Sequence, residues 1–361
     1  ALRDIRMGID SVMYYGRDMN AVIREFSMYE RSGLSVTSLT GRLFADSTVI
    51  RIPSLKLLTP HSEMNFTAQT YWELINIPTT GRLTARFNAR IGKQDVLLFA
   101  GGLPETFKEA YPFRPLVIHA GTEGNLKQMQ ISRFTAELPG AFSLNGGGEF
   151  WNLTDSVKRN GNMDFEMHTQ NLNFLTGLAD IAPDGSIIVP DSMHLAARVG
   201  MEGTQCTAAL KLLEKEGVLN LDAAYNLATE AYHADLAINN LQVHHFLPKD
   251  SIYTLTAKMS AKGQGVDVAS RKTVAALNAS LEKLQYGHWD ISGVEAHAGL
   301  KSSVATVRLA SDNVLLKMQG NADMRLDRSY LDGALDLNVE EVNLHKLGLV
   351  PRPLKHPFAF T

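Results

Sequence analysis

The sequence has almost no cysteine, no excess of charge of one sign and few helix-forming segments, and each absence excludes a class of protein. Cys206 is the single cysteine in 361 residues, so an internal disulfide and a zinc site built from several thiolates are both excluded. A net charge of -3 provides no basic excess for phosphate contacts, which argues against nucleic-acid binding. The hydrophobic fraction of 45% is too high for a disordered chain, so we expect independent folding.

Long apolar runs are also missing at the start of the chain. Charged residues such as Arg3, Asp10 and Asp18 interrupt residues 1–30, leaving no stretch of the length needed for a signal peptide or a membrane helix. The last residues, from Pro357 to Phe360, are apolar and resemble an interrupted strand. We therefore expect the chain to be part of a longer protein.

Strict alternation of apolar and polar residues is the main pattern that the sequence does contain. In 81–91, the side chains of Leu83 and Phe87 share one phase with three further apolar residues, and arginine, threonine and asparagine occupy the other. The same pattern recurs in 316–326 and 335–339. A period of two indicates strands that are buried on one face only.

Two segments rich in helix formers are also interpreted as strands. In 207–227 the apolar residues alternate on both sides of a turn at 214–217, which predicts a β-hairpin. The segment 271–284 fits both a helix and a strand, and its neighbours favour the strand. Helices are expected only in part of 8–25, near Glu105 to Ala110, and at 172–180.

A repeated unit occurs at 165–174, 234–243 and 335–344. In each copy an alternating strand shifts phase by one residue at a pair of polar residues, and a leucine follows at Leu178, Leu247 or Leu347. The copies are unevenly spaced, which argues against a propeller or a regular solenoid.

The chain has room for roughly 20 strands at these spacings. An open twisted sheet of that size must curl or split, because sheets rarely exceed about 10 strands otherwise. The sequence leaves two outcomes open, a filled β-sandwich and a folded-over sheet that encloses an apolar trough. We expect one continuous β segment over 1–361, with sub-modules 1–178 and 179–361.

Short motifs spread in order along nearly the whole chain resemble the TamB-type members of the AsmA-like superfamily of cell-envelope proteins. No single motif is specific, and the resemblance depends on their joint order. The motifs are Glu30-Arg31-Ser32-Gly33-Leu34, Leu39-Thr40-Gly41, Leu57-Leu58-Thr59-Pro60-His61-Ser62, Tyr225, Tyr232-His233-Ala234-Asp235-Leu236, Asn240-Leu241, Phe246-Leu247-Pro248-Lys249-Asp250-Ser251, Lys262-Gly263-Gln264-Gly265-Val266-Asp267, Ser311-Asp312-Asn313-Val314-Leu315-Leu316 and Val342-Asn343-Leu344.

The resemblance implies a non-enzymatic segment of a periplasmic protein whose parent is anchored in the inner membrane. It implies an all-β fold with minor helix, an elongated, highly curled, antiparallel-rich sheet that forms a taco-like hydrophobic trough. The implied activity is phospholipid transport between the inner and outer membranes in outer-membrane biogenesis. The implied partners are phospholipid and a BamA-like outer-membrane barrel protein, the latter through parts of the parent outside this chain. No cofactor is implied.

A site for acyl chains needs a continuous apolar stripe and no special residue, because an alkyl chain makes no directional hydrogen bonds. The alternative is that the same side chains fill the core of a closed β-sandwich, a structural or glycan- or protein-binding module of the cell envelope. The candidate wall residues are Leu83, Phe87, Leu210, Leu221, Leu236, Ile238, Leu241, Val243, Met318, Leu335 and Leu337.

No residue set predicts catalysis or metal binding. His244 and His245 are adjacent, and on a strand adjacent side chains point to opposite faces, so we expect no metal site there. The glycines of 262–265 predict a turn, and Cys206 lies on an alternating strand as a small apolar residue. A hydrolase with two carboxylates is a third hypothesis, disfavoured because the carboxylates fall on polar strand phases or in turns.

Overall fold

The structure, a computed structural model, describes residues 2–31, 33, 35–99, 102–178, 186–326, 332–347, 350, 352 and 358–360. The chain forms two compact units. The first contains Ala1–Asp184 and Val189–Gly203, and the second contains Gly185–Ile188 and Thr204–Thr361. The division thus lies at Gly203 and Thr204, whereas the sub-modules expected from the sequence meet at 178 and 179.

The first unit is an antiparallel sheet in which strands that follow one another along the chain are also neighbours in space. Its strands, among the described residues, are β1 (Leu2–Tyr15), β2 (Asp18–Glu30), β3 (Ser35–Ala45), β4 (Val49–Leu58), β5 (Glu63–Tyr71), β6 (Leu83–Ile91), β7 (Leu116–Gly124), β8 (Gln128–Leu138), β9 (Phe142–Trp151), β10 (Asn160–Thr169) and β11 (Met193–Glu202).

The second unit follows the same rule, except that β16 pairs with β15 on one side and with both β17 and β18 on the other. Its described strands are β12 (Gln205–Glu214), β13 (Gly217–Asn226), β14 (Ala231–Gln242), β15 (Ile252–Gln264), β16 (Val274–Tyr286), β17 (Trp289–Ile291), β18 (Val294–Lys301), β19 (Val304–Asp312), β20 (Leu316–Arg325), β21 (Asp332–Val342) and β22 (Phe358–Phe360).

Helices are short and few in the described part of the chain. They are α1 (Trp72–Asn76), α2 (Lys93–Phe99), α3 (Glu105–Ala110) and two 3₁₀ helices, Asn173–Leu178 and Val243–His245. None of them combines the length and apolar character needed to cross a membrane. The helices predicted near Glu105 and at 172–180 are confirmed, although the last two residues of the second lie outside the described residues.

The helix predicted within 8–25 is wrong, because this segment forms β1, a turn at Gly16 and β2. Ile5, Ile9 and Val12 follow the helical spacing i, i+4, i+7. The β1–β2 pairing shifts register between Ile9 and Ser11, where Asp10 is an extra residue in β1. After this bulge, the residues that face the same side of the sheet change from odd to even positions. A bulged strand can therefore imitate the apolar period of a helix.

The predictions for the main alternating segments are confirmed. The chain is all-β with minor helix, its sheets are antiparallel, and strands cover the alternating segments 83–91, 316–325 and 332–342. The predicted hairpin is β12–β13, with Glu214 opposite Gly217 at its turn. The ambiguous segment 271–284 contains the start of strand β16.

Two copies of the repeated unit carry the predicted phase shift as a β-bulge. In β14 the pairing with β15 shifts between Ile238 and Leu241, and Asn240 has a φ of 49°. In β21 the shift lies between Val339 and Glu341. The first copy differs, since β10 ends at Thr169 before the shift. A helical turn follows all three copies, at Asn173–Leu178, at Val243–His245 and where the Leu347 N–H donates to the Asn343 carbonyl.

The tightly packed core of the first unit lies at the strand ends around the β8–β9 turn. Phe107 of α3, Tyr111 and Phe174 contact one another in tilted and edge-to-face arrangements, with ring centroids 5.4 to 5.8 Å apart. They pack with Leu138 at the end of β8 and Ala141 in the following turn. The side chains farther along the strands are mostly only half-buried. The helical segments therefore cover these strand ends, while the faces of the sheet stay partly open.

Candidate functional site

A groove lined almost entirely by apolar surface lies on the apolar face of the first unit. Phe87 of β6 lies directly opposite Phe66 of β5 on one side and Ala120 of β7 on the other. Ala120 in turn lies opposite Phe134 of β8. The groove has a volume of about 430 Å³. It is lined by Phe66, Ala85, Arg86, Phe87, Ala120, Gly121, Thr122, Met129, Ile131, Phe134 and Met163.

Glycines on β9 lie beside this groove. Gly146 pairs with Phe134 and Phe165, and Gly148 pairs with Ile131 and Met163. A Cβ on Gly148 would lie 2.2 Å from the backbone oxygen of Asn162, which no real structure tolerates. Glycine is required at this position because neighbouring backbone approaches so closely, and the missing side chains leave space between the large apolar residues.

The apolar face of the second unit contains rows of side chains that run across the sheet. Directly opposite residues of antiparallel strands share a face, so the register alone defines each row. The central row crosses nine strands without a polar residue. Its members are Leu210, Leu221, Leu236, Met259, Ala279, Ala296, Leu309, Gly320 and Leu337.

Two further rows flank the central one and contain most of the remaining predicted wall residues. One of them includes Ile238 and Met318 and has Ser311 as its one polar member. The other ends at Leu335 and is otherwise formed by alanine, valine and leucine. At strand spacings of about 4.8 Å, a row over nine strands is about 38 Å long.

The bulge in β14 keeps Leu241 on the apolar face. Ile238 lies opposite Ala257 and Leu241 lies opposite Leu255, and these two β15 residues share one phase. Val243 was expected to line the apolar wall as part of a strand, but it begins a 3₁₀ helix instead. The helical turn therefore ends β14 after Gln242.

The predicted wall residues are accessible to an incoming molecule. Leu83, Phe87 and the unit-two wall residues are half-buried, apart from Leu335, which is 74% exposed. Leu83 lies four residues from Phe87 on the same face of β6, opposite Gly124. An apolar face with this degree of exposure can still bury more surface on binding.

The opposite face of the second unit is polar and holds a cleft of about 430 Å³. A second register row lies along it, formed by Asp222, Asp235, Ser260, Asn278 and His297. The cleft is also lined by the polar residues Asn220, Lys258, Ser280 and Glu295 and by the apolar residues Leu236, Ala237, Met259 and Ala279. Carboxylate, amide, hydroxyl and imidazole groups thus converge on this face.

Ion pairs of the first unit also follow the polar phase of its strands. The side chain of Lys56 lies 2.7 Å from Glu63 and lowers the pKa of that carboxyl, with help from Asn65. Arg198 donates two hydrogen bonds to Asp164, at 2.6 and 3.2 Å, and this contact raises the pKa of the guanidinium. These exposed pairs maintain solubility more than they stabilise the fold.

The two adjacent histidines are not on a strand, so the argument that they point to opposite faces was wrong. His244 and His245 lie in the 3₁₀ helix after β14, with ring centroids 4.2 Å apart. His245 Nδ1 donates to Oε1 of the buried Glu214 at 2.8 Å, and His233 pairs with Asp235 at 2.6 Å on β14. These contacts form two separate histidine–carboxylate pairs.

The minor sites considered in the sequence have simple structural roles. Cys206 is a half-buried free thiol on β12, opposite Tyr225. Residues 262–264 end β15, and Gly265 follows with a φ of 76°. The turn predicted at 262–265 is therefore wrong for 262–264, and the chain turns after Gly265, where the Ser270 N–H donates to the Asp267 carbonyl.

One cluster was missed by the sequence reasoning. Glu166 and His168 share the polar face of β10, and His194 of β11 lies directly opposite His168. Their ligand atoms all lie within 4.8 Å of one another. The Glu-Met-His alternation in β10 was a partial signal, but the third residue is 26 positions away and could be placed only by the strand register.

Comparisons with known proteins identify no relative of this chain. No protein-family model, curated protein or solved structure gives a significant match to the chain.

Proposed function

We propose that the chain is a non-enzymatic binding segment that holds the acyl chains of phospholipid against the apolar faces of its sheets. The observation that carries this proposal is the unbroken apolar row across nine strands, together with the apolar groove around Phe87. Burial of an alkyl chain contributes about 0.8 kcal/mol for each methylene and needs no hydrogen-bonding partner. A long row of half-buried leucine, methionine and alanine side chains suits such a ligand.

The resemblance to TamB-type AsmA-like proteins gives this binding a cellular role. We propose that the chain belongs to a periplasmic segment of the cell envelope, whose parent is anchored in the inner membrane. It would guide phospholipid between the membranes, in a trough formed by the curled sheet. A BamA-like outer-membrane protein would bind other parts of the parent chain. The supporting observations are the antiparallel all-β fold and the one-sided apolar rows.

The direct test is native mass spectrometry of the chain after gentle purification. We expect added masses that dissociate on activation and fragment as phospholipids. A spectrum containing only the unliganded mass, from protein purified without delipidating detergent, would contradict the proposal. The same sample incubated with phospholipid vesicles should extract labelled lipid, whereas a closed core would extract none.

A matched pair of variants separates loss of the groove from loss of the fold. Ala85 lines the groove, while Asn88 on the same strand β6 is exposed on the opposite face. Ala85→Glu places a charge where an alkyl chain would bind, so bound lipid should fall at least about tenfold, the equivalent of 1.4 kcal/mol. Asn88→Glu should bind lipid like the parent protein. Circular dichroism should show both variants folded, and equal lipid binding by both would argue against the groove.

The polar cleft of the second unit favours a second candidate function, a glycan-binding module. Asp222, Asp235, Asn278 and His297 provide the hydrogen-bonding groups that a sugar requires. Glycan-array binding that is lost in Asn278→Ala but kept in Ala85→Glu would support this function instead of lipid binding.

A further inference from the structure

We propose that Glu166, His168 and His194 form a binding site for a divalent transition metal, with Zn²⁺ as the best fit. The site lies on the polar face of the first unit, outside the apolar groove. It joins two neighbouring strands, β10 and β11.

Strand geometry brings the three side chains together. Glu166 and His168 are alternate residues of β10, so both side chains point to the same face. His194 is the direct partner of His168 across the β10–β11 pair, and the two imidazole rings stack with centroids 4.4 Å apart and an interplanar angle of 13°. The residue opposite Glu166 is Ala196, whose small side chain leaves space beside the carboxylate.

The distances from the two imidazole nitrogens to Glu166 are close to those of a tetrahedral site, and all three ligand atoms lie within 4.8 Å of one another. His194 Nε2 lies 3.0 Å from Glu166 Oε1, and His168 Nε2 lies 3.7 Å from the same oxygen. Metal–ligand bonds of 2.0–2.1 Å at tetrahedral angles place two ligand atoms about 3.3 Å apart. A metal ion can therefore replace the hydrogen bond from His194 to Glu166 once the two stacked imidazoles rotate so that their lone pairs converge on it.

The donor set selects the class of metal. Two imidazoles and one carboxylate suit Zn²⁺ and its neighbours, whereas Mg²⁺ and Ca²⁺ require mainly oxygen ligands. Glu166 and His168 are more than half exposed, so a water molecule from solvent can complete the coordination. Arg198, which lies two residues along β11 from Ala196, is paired with Asp164 and is not a competitor for Glu166.

The chain provides a matched control for nonspecific binding. His233 and Asp235 are also alternate residues of one strand, and their side chains lie 2.6 Å apart. The partners of His233 across the sheet are Ala224 and Lys262, neither of which can replace the second imidazole. This pair therefore has one imidazole and one carboxylate, like His168 and Glu166, but it lacks a second histidine opposite the first.

The test is calorimetric titration of the untagged, chelator-treated chain with Zn²⁺ and, separately, Mg²⁺. We expect one Zn²⁺ per chain, no binding of Mg²⁺, and at least tenfold weaker Zn²⁺ affinity in His168→Ala and in His194→Ala, about 1.4 kcal/mol or more. His233→Ala should bind like the parent protein. Circular dichroism of the metal-free variants checks that these exposed substitutions leave the fold intact.

A second readout reports the coordination itself. Co²⁺ in the site should give the strong visible absorption of a tetrahedral complex, and Glu166→Gln, which conserves side-chain volume, should weaken or shift that absorption. Failure of the parent chain to bind Zn²⁺, or equal affinities in the parent, His168→Ala and His194→Ala, would overturn the proposal.

Discussion

Asp46 illustrates how a single carboxylate can fix a turn of this sheet. It precedes β4 and accepts hydrogen bonds from the backbone N–H groups of Thr48 and Val49, at 2.7 and 2.8 Å. These bonds favour the ionised carboxylate and lower the pKa of Asp46 below its ordinary value of 3.8. The turn is therefore stabilised above that value, and the stabilisation disappears as the pH falls through the lower pKa of the folded state.

An NMR titration of the aspartate carboxyl carbons checks this first prediction. The resonance of Asp46, assigned by its absence in Asp46→Asn, should have a midpoint below 3.8. A midpoint at or above that value would show that the backbone contacts are not formed in solution.

Glu214 is a buried carboxylate at the end of β12 that depends on one partner. Its side chain is 1% exposed, His245 donates to Oε1, and Oε2 has no hydrogen-bond partner. His245→Ala would leave the buried carboxylate without this donor and should destabilise the fold by about 2 kcal/mol in urea denaturation.

Replacing both members of the pair tests the cause of this loss. Glu214→Leu combined with His245→Ala removes the buried charge together with its partner and should recover most of the lost stability. If His245→Ala alone changes the free energy of unfolding by less than about 0.5 kcal/mol, solvent already satisfies Glu214.

At the scale of the element, strand β9 requires glycine on one of its two faces but has room for a larger residue on the opposite face. A Cβ on Gly148 would meet backbone atoms of Asn162 and Met163 at 2.2 and 2.8 Å, while the nearest atom to a Cβ on Gly147 is 3.2 Å away. Gly148→Ala should therefore destabilise the fold by about 1–3 kcal/mol, and Gly147→Ala by less than about 1 kcal/mol. Equal losses of thermal stability would contradict the register of β8, β9 and β10.

The short helices that pack at the strand ends of the first unit form a second element with a testable role. Phe107 is 6% exposed and contacts Tyr111 and Phe174. Phe107→Ala should destabilise the fold by about 3 kcal/mol, since it leaves a cavity in the packed core. Phe99 of α2 is 72% exposed, so Phe99→Ala is a control with little expected effect. Similar unfolding midpoints for both variants would mean that α3 does not pack against the sheet.

At the scale of each whole unit, stability should be unevenly distributed. β1 pairs with β2 alone among the described strands, and its Val12, Tyr14 and Tyr15 are 66 to 82% exposed. β9 has a partner on each side. Hydrogen exchange should therefore be fast in β1 and slow in β9. Uniformly slow exchange would show that β1 is covered in solution.

The sequence predicted the strands because a half-buried strand has a distinctive period of two. It could not predict the pairing register, which depends on bulges and turns as much as on the pattern within one strand. For this reason the alternation placed Leu236 and Leu337 on the apolar face of their own strands. It did not show that one row of side chains connects them across the sheet. The same limit concealed the cluster of Glu166, His168 and His194, and the bulge in β1 produced a false helix.

The register rows of the second unit have a consequence for how such a chain can vary in length. Because consecutive strands are also spatial neighbours, each row passes from hairpin to hairpin without a crossover. Insertion of a hairpin whose apolar residues alternate in step with the existing strands would lengthen every row by about 9.6 Å, and deletion of a hairpin would shorten it by the same amount. The contacts between the remaining strands would not change. Duplication of hairpins is therefore a simple route by which the span of the molecule could change while its local chemistry stays the same.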